Sequence, residues 1–325
     1  MMNSPTLFLP LLVVGSLLLS STASADFIWK DTEGKHLDLR FDSRMVARYV
    51  YEAIDESSAE RREETYKPFC HLYVPWTKDQ FLTKGPGGKF THHRGIFYGF
   101  SRISYTDAEG VKHEKVDTWH CRKAHQVHRS FSAKESGSEE AMFTSEIDWI
   151  GDDGKVFARE ARTMRFSLSN SDVIVDFEST LTPTVASLVL DGDPQHAGFQ
   201  FRAHNDVNDK TNKATYYIRP VSGVGEPGVT INWSAKLDNE RTRDLPWKAM
   251  CFTLNDKRYT ACYLDRPDNP KPARYSERDY GRFGSYFATE VKAEVPLTVR
   301  YRLVMHSGEM LAEEVAKLSE TYLSE

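Results

Sequence analysis

Six of the eleven histidines in this 325-residue chain lie between positions 92 and 128: His92, His93, His113, His120, His125 and His128. Two more, His196 and His204, bracket the stretch Ala197 to His204. Imidazole is the side chain best suited to proton transfer near neutral pH and to binding a transition metal, so the concentration calls for a chemical reading. His113 sits in the charged segment Asp107 to Lys115 and is expected at the surface, as is His125. His92-His93-Arg94-Gly95 reads differently. Adjacent residues in an extended chain point to opposite faces, so Arg94 points with His92, and Gly95 lets the backbone bend or approach a ligand closely. The preceding Gly85-Pro-Gly-Gly-Lys is a flexible loop of the kind from which a rigid sheet presents binding residues.

Three imidazoles with an open coordination position would suit Zn, Cu or Fe(II), but the chain has no HExxH. The only compact spacing is His120-x4-His125-x2-His128. The expectation is therefore no metal cofactor, with His120, His125 and His128 as the alternative metal set. No Gly-x-Ser-x-Gly elbow exists, and the Gly85 loop lacks the context and terminal Ser or Thr of a phosphate loop.

The elements that must position these residues have a period of two. In Ala197 to Asn205, Ala197, Phe199, Phe201 and Ala203 alternate with Gly198, Gln200, Arg202 and His204, which predicts a half-buried strand. Arg162 to Leu168 and Asp172 to Leu181 predict a hairpin around Ser169-Asn170-Ser171. Further strands are predicted at Ile28 to Trp29, Leu37 to Phe41, Met45 to Glu52, Gly95 to Ser104, Trp119 to Phe131, Ala141 to Ile150, Val156 to Ala161, Val229 to Ser234, Trp247 to Thr253, Tyr259 to Leu264 and Leu297 to Met305. One helix is predicted at the end, capped by Ser307, with Leu311, Val315, Leu318 and Tyr322 on one face. Residues 56–64 read as a solvated loop or short surface helix. With no Pro/Ser-rich linker, the expected architecture is a single all-β domain over residues 26–325, a large antiparallel β-sandwich with a short C-terminal helix.

On such strands His120 and His128 share parity, as do His196, Gln200, Arg202 and His204. Two histidine-bearing polar rows would then face one side, beside Trp119, Arg122 and Gln126. A face rich in His, Arg and Gln with aromatic neighbours suits a polyhydroxylated or carboxylated ligand, since Arg binds carboxylates bidentately and aromatics stack on sugar rings.

The near-balance of 42 Lys plus Arg against 47 Asp plus Glu, with the signs interleaved, argues against nucleic-acid or polybasic membrane-surface partners. Leu7 to Leu19 is apolar but too short to span a bilayer comfortably, and Ala23-Ser-Ala25 fits a signal peptidase. Residues 1–25 are thus expected to be a cleaved signal peptide, and the mature protein periplasmic or secreted, with no membrane association. Export makes Cys70, Cys121, Cys251 and Cys262 disulfide candidates. A hairpin turning between Asp256 and Lys257 would set Cys251 opposite Cys262, within bridging distance, so that pair is the expected disulfide.

Several segments together resemble the bacterial PmoA-like family, often labelled methane oxygenase. They are Tyr66-Lys-Pro-Phe-Cys-His-Leu-Tyr, Thr91-His-His-Arg-Gly-Ile-Phe-Tyr-Gly-Phe, Asp117-Thr-Trp-His, Gln195-His-Ala-Gly-Phe-Gln-Phe-Arg, Asp265-Arg-Pro-Asp-Asn-Pro, Tyr280-Gly-Arg-Phe and Tyr301-Arg-Leu-Val-Met-His-Ser-Gly. The resemblance covers nearly all of residues 45–310. It implies a galactose mutarotase-like supersandwich from bacteria that degrade complex carbohydrates. The positions carried over are His92, His93, Arg94, His120, His196, Arg202, Asn269 and Tyr280. Where many relatives place His-Pro before the paired histidines, this chain has Lys89-Phe90-Thr91.

The leading expectation is an exported carbohydrate-associated protein that binds a sugar or oligosaccharide in a His/Arg-rich cleft, with epimerase, lyase or hydrolase-type proton transfer. Catalytic roles fall to His92, His93, His120 and His196. Asp117 or Asp193 is a candidate second proton carrier, and Arg94, Arg202, Gln200, Trp119, Asn269 and Tyr280 are expected to hold substrate. The alternatives are a Cu-, Fe- or Zn-dependent oxygenase, as the family label suggests, and a noncatalytic glycan-binding module.

Overall fold

A computed structural model of the chain describes all residues except 3–25, 75–79, 171, 194 and 234–240, so the expected signal segment lies outside the described residues. Three antiparallel sheets carry the fold. The first has eight strands, in the spatial order Phe27–Thr32, His36–Phe41, Arg44–Val50, Phe69–Leu72, Ile96–Phe100, Ala197–Arg202, Arg282–Tyr286 and Arg274–Arg278. The second has nine, running from Gly223–Val224 and Tyr216–Arg219 through Trp247–Leu254, Lys257–Asp265, Leu297–Ser307, Asp172–Pro183, Val156–Ser169 and Glu140–Ile150 to His125–Ser136. A four-stranded sheet, Thr289–Lys292, Ser187–Asp191, Arg102–Thr106 and Lys112–Val116, completes the set.

The two large sheets pack face to face, as alternating apolar strands require. Phe199 of the first stacks on Phe177 and Tyr301 of the second, with ring centroids 4.2 and 5.0 Å apart. The expected hairpin forms, with Ser169 paired to Asp172. The C-terminal helix also forms, over Ala312–Ser324, and buries Val315 and Tyr322 against Ile218, Trp247 and Leu264 on the far side of the nine-stranded sheet. It starts later than expected, at Leu311 rather than Ser307, where the Glu314 carboxylate accepts the Leu311 N–H. The charged stretch near residue 60 is a short helix, Ala59–Thr65, capped by Ser58.

Four expectations need correction. Gly95 to Ser104 is not one strand: the chain changes sheets at Ser101, between Ile96–Phe100 and Arg102–Thr106. Trp119 to Phe131 starts only at His125. The described part of Val229 to Ser234 makes a lone bridge, Ile231 to Glu277. The fourth concerns the cysteines. The hairpin closes at Leu254 and Lys257, with Asn255 and Asp256 both at positive φ, a two-residue turn that Asn and Asp tolerate. That register is two residues away from the expected one. Cys251 faces Thr260, Cys262 faces Ala249, and all four cysteines are free and buried.

Candidate functional site

The strand Ala197–Arg202 shows the expected alternation, but both its faces are buried. Phe199 and Phe201 enter the main core. Gln200 and Arg202 project to the opposite face, where Phe69, Phe97 and Trp119 form a separate small cluster. Loops lie over this second face, and they carry the histidines.

His92 and His93 come from the loop before the strand Ile96–Phe100. Gly95 ends that loop at φ +46°, and a Cβ there would stand 2.2 Å from the Cys70 carbonyl oxygen. The loop is stitched to the sheet by Gly95 N–H to Lys84 O (2.8 Å) and Arg202 N–H to Gly95 O (2.8 Å).

His120 sits in a tight turn. The Asp117 carboxylate accepts the backbone N–H groups of Trp119 (2.9 Å) and His120 (2.8 Å), and its other oxygen lies 2.8 Å from His120 Nδ1. His196 repeats the device immediately before its strand. Asp193 accepts the Gln195 N–H at 2.9 Å, and its two oxygens lie 2.8 and 2.7 Å from His196 Nδ1.

These four imidazoles converge. Ring centroids are 4.2 Å apart for His92 and His93, 4.5 Å for His92 and His120, and 4.8 Å for His120 and His196. Trp119 is their floor, with its centroid 5.9 Å from both His93 and His196. Tyr280 forms a wall, nearly parallel to His93 at 6.1 Å and 5.0 Å from Phe90.

The electrostatics divide the four into two kinds. A carboxylate accepts hydrogen bonds and cannot donate them, so His120 and His196 carry their proton on Nδ1, which leaves the Nε2 lone pair unclaimed by the carboxylate. Burial works against the charge on Asp117 and Asp193, yet the hydrogen bonds from their histidines hold both carboxyls below the ordinary range. Burial, reinforced by neighbouring positive groups, pushes His92 down to about 2 and His93 well below its ordinary value. Both therefore stay neutral. His92 Nε2 and both nitrogens of His93 are buried without a hydrogen-bond partner among the described residues. Such orphaned nitrogens are costly unless something occupies them. One ligating atom from each of His92, His93 and His196 lies within 4.8 Å of the others, a donor set that fits a transition metal.

Several expected residues have other duties. Arg94 turns away from the histidine cluster, donating to the carbonyls of Glu63, Glu64 and Thr91 and stacking on Tyr66 at 4.2 Å. It closes the end of the helix Ala59–Thr65. Gln200 is buried, donating to the Ala197 carbonyl and accepting from Arg282 Nη1 at 2.9 Å. Asn269 lies outside this cluster, tying Asp265 to the Arg300 backbone. Asp117 and Asp193 each hold a histidine through Nδ1.

The alternative metal set does not assemble. His125 contacts the Lys123 carbonyl, and His128 bonds Ser145 Oγ at 2.7 Å beside Tyr51 and Phe131. His113 is partly buried, 3.2 Å from Asp107. His204 accepts the Asp206 N–H.

Sequence reasoning missed Lys67, whose ammonium donates to the Trp119 carbonyl beneath the floor and is pushed down to about 7 by burial. It also missed Arg282, 6.0 Å from the Trp119 ring. One readable signal was overlooked: Asp117-Thr-Trp-His120 and Asp193-Pro-Gln-His196 share the spacing Asp-x-x-His.

Residues 36–320 match DUF6807, a family of unknown function, and the chain belongs to that family. No curated protein sequence matches the chain. Among solved structures it is similar to the galactosidase domain of an α-galactosidase–sucrose kinase, at 8% identity and a TM-score of 0.43, over 86% of this chain and 42% of that one. It is also similar to an aldose epimerase homologue from C. elegans, at 6% identity and a TM-score of 0.33, over 87% of this chain and 99% of that one. A third is a putative aldose 1-epimerase from Escherichia coli K12, at 9% identity and a TM-score of 0.33, over 86% and 99%. The chain spans about two fifths of the length of the galactosidases it matches.

Proposed function

We propose that this is an exported protein that binds a sugar in the four-histidine pocket and moves protons on it, in the manner of an epimerase or lyase. The observation that carries the reading is the pair of Asp–His dyads, Asp117–His120 and Asp193–His196, with imidazole centroids 4.8 Å apart. Each dyad fixes the Nδ1–H tautomer and leaves Nε2 as an acceptor, so one ring takes a proton from a carbon or oxygen acid, while the other, protonated on Nε2 from solvent and held as imidazolium by its carboxylate, returns one. A hydrolase of the usual kind needs two carboxyl groups flanking the scissile bond, whereas Asp117 and Asp193, the carboxylates that reach this cluster among the described residues, are engaged by imidazoles. The segments Thr91 to Gly95, Asp117 to His120 and Gln195 to Arg202 each contribute a histidine to this cluster.

The test is incubation of the mature protein with a panel of aldoses and uronates in deuterium oxide. Proton NMR would follow anomer equilibration and exchange of carbon-bound hydrogen. Turnover that disappears in both His120→Ala and His196→Ala supports the reading, and turnover that survives both substitutions refutes it.

A second reading is favoured by the orphaned nitrogens. His92, His93 and His196 would hold Cu, Fe or Zn, with Asp193 steadying its histidine from behind. The ion would supply Lewis-acid chemistry or, as Cu or Fe, redox chemistry. Elemental analysis of protein purified without chelators tests it. A stoichiometric metal lost in both His92→Ala and His93→Ala establishes this reading, and a metal-free protein with sugar turnover dismisses it.

A further inference from the structure

Three arginines stand side by side on the buried face beside the pocket. Arg202 faces Arg282 across neighbouring antiparallel strands, and Arg282 in turn faces Arg278 on the next. Like charges directly opposite in a sheet destabilise it, and buried ones more so. All three are nonetheless almost fully buried, with exposures of 0, 0 and 4%.

Their hydrogen bonds are incomplete. Arg202 Nη1 donates to the Ala203 and Tyr280 carbonyls, Arg278 Nη1 to Asn232 and Glu277 O, and Arg282 to Gln200 Oε1 and, at 3.5 Å, the Tyr280 hydroxyl. Arg202 Nε and Nη2, Arg278 Nη2 and Arg282 Nη2 have no partner among the described residues, and no carboxylate there pairs with any of the three. Elsewhere two buried guanidiniums have carboxylate partners, and Arg94, whose Nε is also unpartnered, still has several acceptors. Arg162 is held by Glu160, Arg219 by Glu277, and Arg94 by three carbonyls.

The row is continuous with the histidine pocket. Arg202 lies 5.0 Å from the Tyr280 ring, which itself parallels His93, and Arg282 shares the Trp119 floor with His93 and His196. Buried Lys67 lies against the same Trp119 ring. Among the described residues, the carboxylates that reach the histidines, Asp117 and Asp193, are engaged by them.

A set of aligned, unpaired N–H donors in a dry setting is what a planar or tetrahedral oxyanion requires. We propose that this guanidinium row seats the acidic group, carboxylate or sulfate, of an anionic sugar whose ring lies in the histidine pocket. The inference rests on the carbohydrate reading and names its substrate class.

The experiment is calorimetric titration of the mature protein with galacturonate, galactose 6-sulfate and neutral galactose. In parallel, thermal melts would be run in sodium sulfate or sodium acetate against sodium chloride at matched ionic strength. One of the two acidic sugars should bind at least about tenfold more tightly than galactose, since a charge-assisted hydrogen bond contributes about 1.5–3 kcal/mol. Which acid wins tells carboxylate from sulfate. The preference should vanish in Arg278→Gln, at the rim of the row, and in Arg282→Gln.

Galactose binding as tightly as both acids overturns the inference while leaving the carbohydrate reading intact, as does an acid preference that persists in both variants. Stabilisation by sulfate or acetate that depends on Arg278, with no sugar binding at all, supports the oxyanion seat and removes the carbohydrate. Arg282→Gln removes a cation without a carboxylate partner but also the donor to buried Gln200 Oε1, so its melting temperature is read beside its binding. A variant that fails to fold leaves Arg278→Gln and the wild-type melts to decide.

Discussion

His196 Nδ1 lies 2.8 and 2.7 Å from the two carboxylate oxygens of Asp193, so a single imidazole nitrogen is held by both arms of one carboxylate. This fixes the tautomer before any ligand arrives. In ¹⁵N NMR of the free protein at pH 7.5, His196 should show one tautomer with the proton on Nδ1. Asp193→Ala should give a mixture, and Asp117→Ala the same at His120. Turnover in each variant should fall about 10²- to 10⁴-fold through kcat, the usual scale for acid–base contributions. A single Nδ1–H tautomer retained in both alanine variants would sink the orienting role.

Gly95 positions the paired histidines at a cost only glycine avoids. Any side chain there meets the Cys70 carbonyl oxygen, in a left-handed conformation. Gly95→Ala should destabilise the protein by about 2 kcal/mol or more, read as a lower urea midpoint. A midpoint equal to wild type would show that the loop can relax, and that the close approach is not needed.

Arg94 was expected to hold substrate but holds the helix Ala59–Thr65 instead. Arg94→Gln should lower stability by about 2 kcal/mol, because the Glu63 and Glu64 carbonyls lose buried donors. In the fraction that remains folded, sugar affinity should stay within about threefold of wild type, a difference of less than 1 kcal/mol. A tenfold loss of affinity with unchanged stability would return Arg94 to the binding site.

Burial keeps three histidines neutral in the folded state. His71 is pushed down to about 3, His92 to about 2, and His93 well below its ordinary value. The unfolded chain protonates each near pH 6.5, so below that pH it binds more protons than the folded protein. The contribution of these three histidines is therefore complete above about pH 7.5 and declines as the pH falls, by at most about 4 kcal/mol per unit for the three together. Urea midpoints at pH 7.5, 6 and 5 check this, and His71→Gln should flatten the slope. A midpoint independent of pH across that range would contradict the burial.

All four cysteines are free and buried. Alkylation in denaturant without reductant should label four thiols per chain, whereas the native protein should react slowly, because burial raises Cys70 and Cys262 above the ordinary thiol range. A two-thiol result would reinstate a disulfide.

The strands were legible because alternation is written locally, and the four histidines were brought together by the motif resemblance. Alternation in Ala197 to Arg202 named the apolar and polar faces correctly, and His92, His93, His120 and His196 do meet. What the sequence hid was long-range coverage. Gln200 and Arg202 look like solvent-facing residues until loops from residues 85–95 and 117–121 lie over them, and no local pattern encodes that. Turn chemistry caused the other errors. Asp117 bends the chain so that His120 never joins the strand that starts at His125, and Asn255-Asp256 draws the cysteine hairpin two residues out of the expected register. Asn269 and Arg94 were carried by motif resemblance, and a motif does not distinguish a residue that builds a site from one that touches its ligand.

The strand Ala197–Arg202, sealed on both faces, leaves no room for a half-correct molecule. Its alternate residues are Phe199 and Phe201 on one side and Gln200 and Arg202 on the other, so a slip of one position would drive a guanidinium into the aromatic interior and a phenyl ring under the imidazoles. Misfolded chains should therefore be inert and insoluble rather than weakly active. The active fraction of a preparation would then report the fraction that has found its native register.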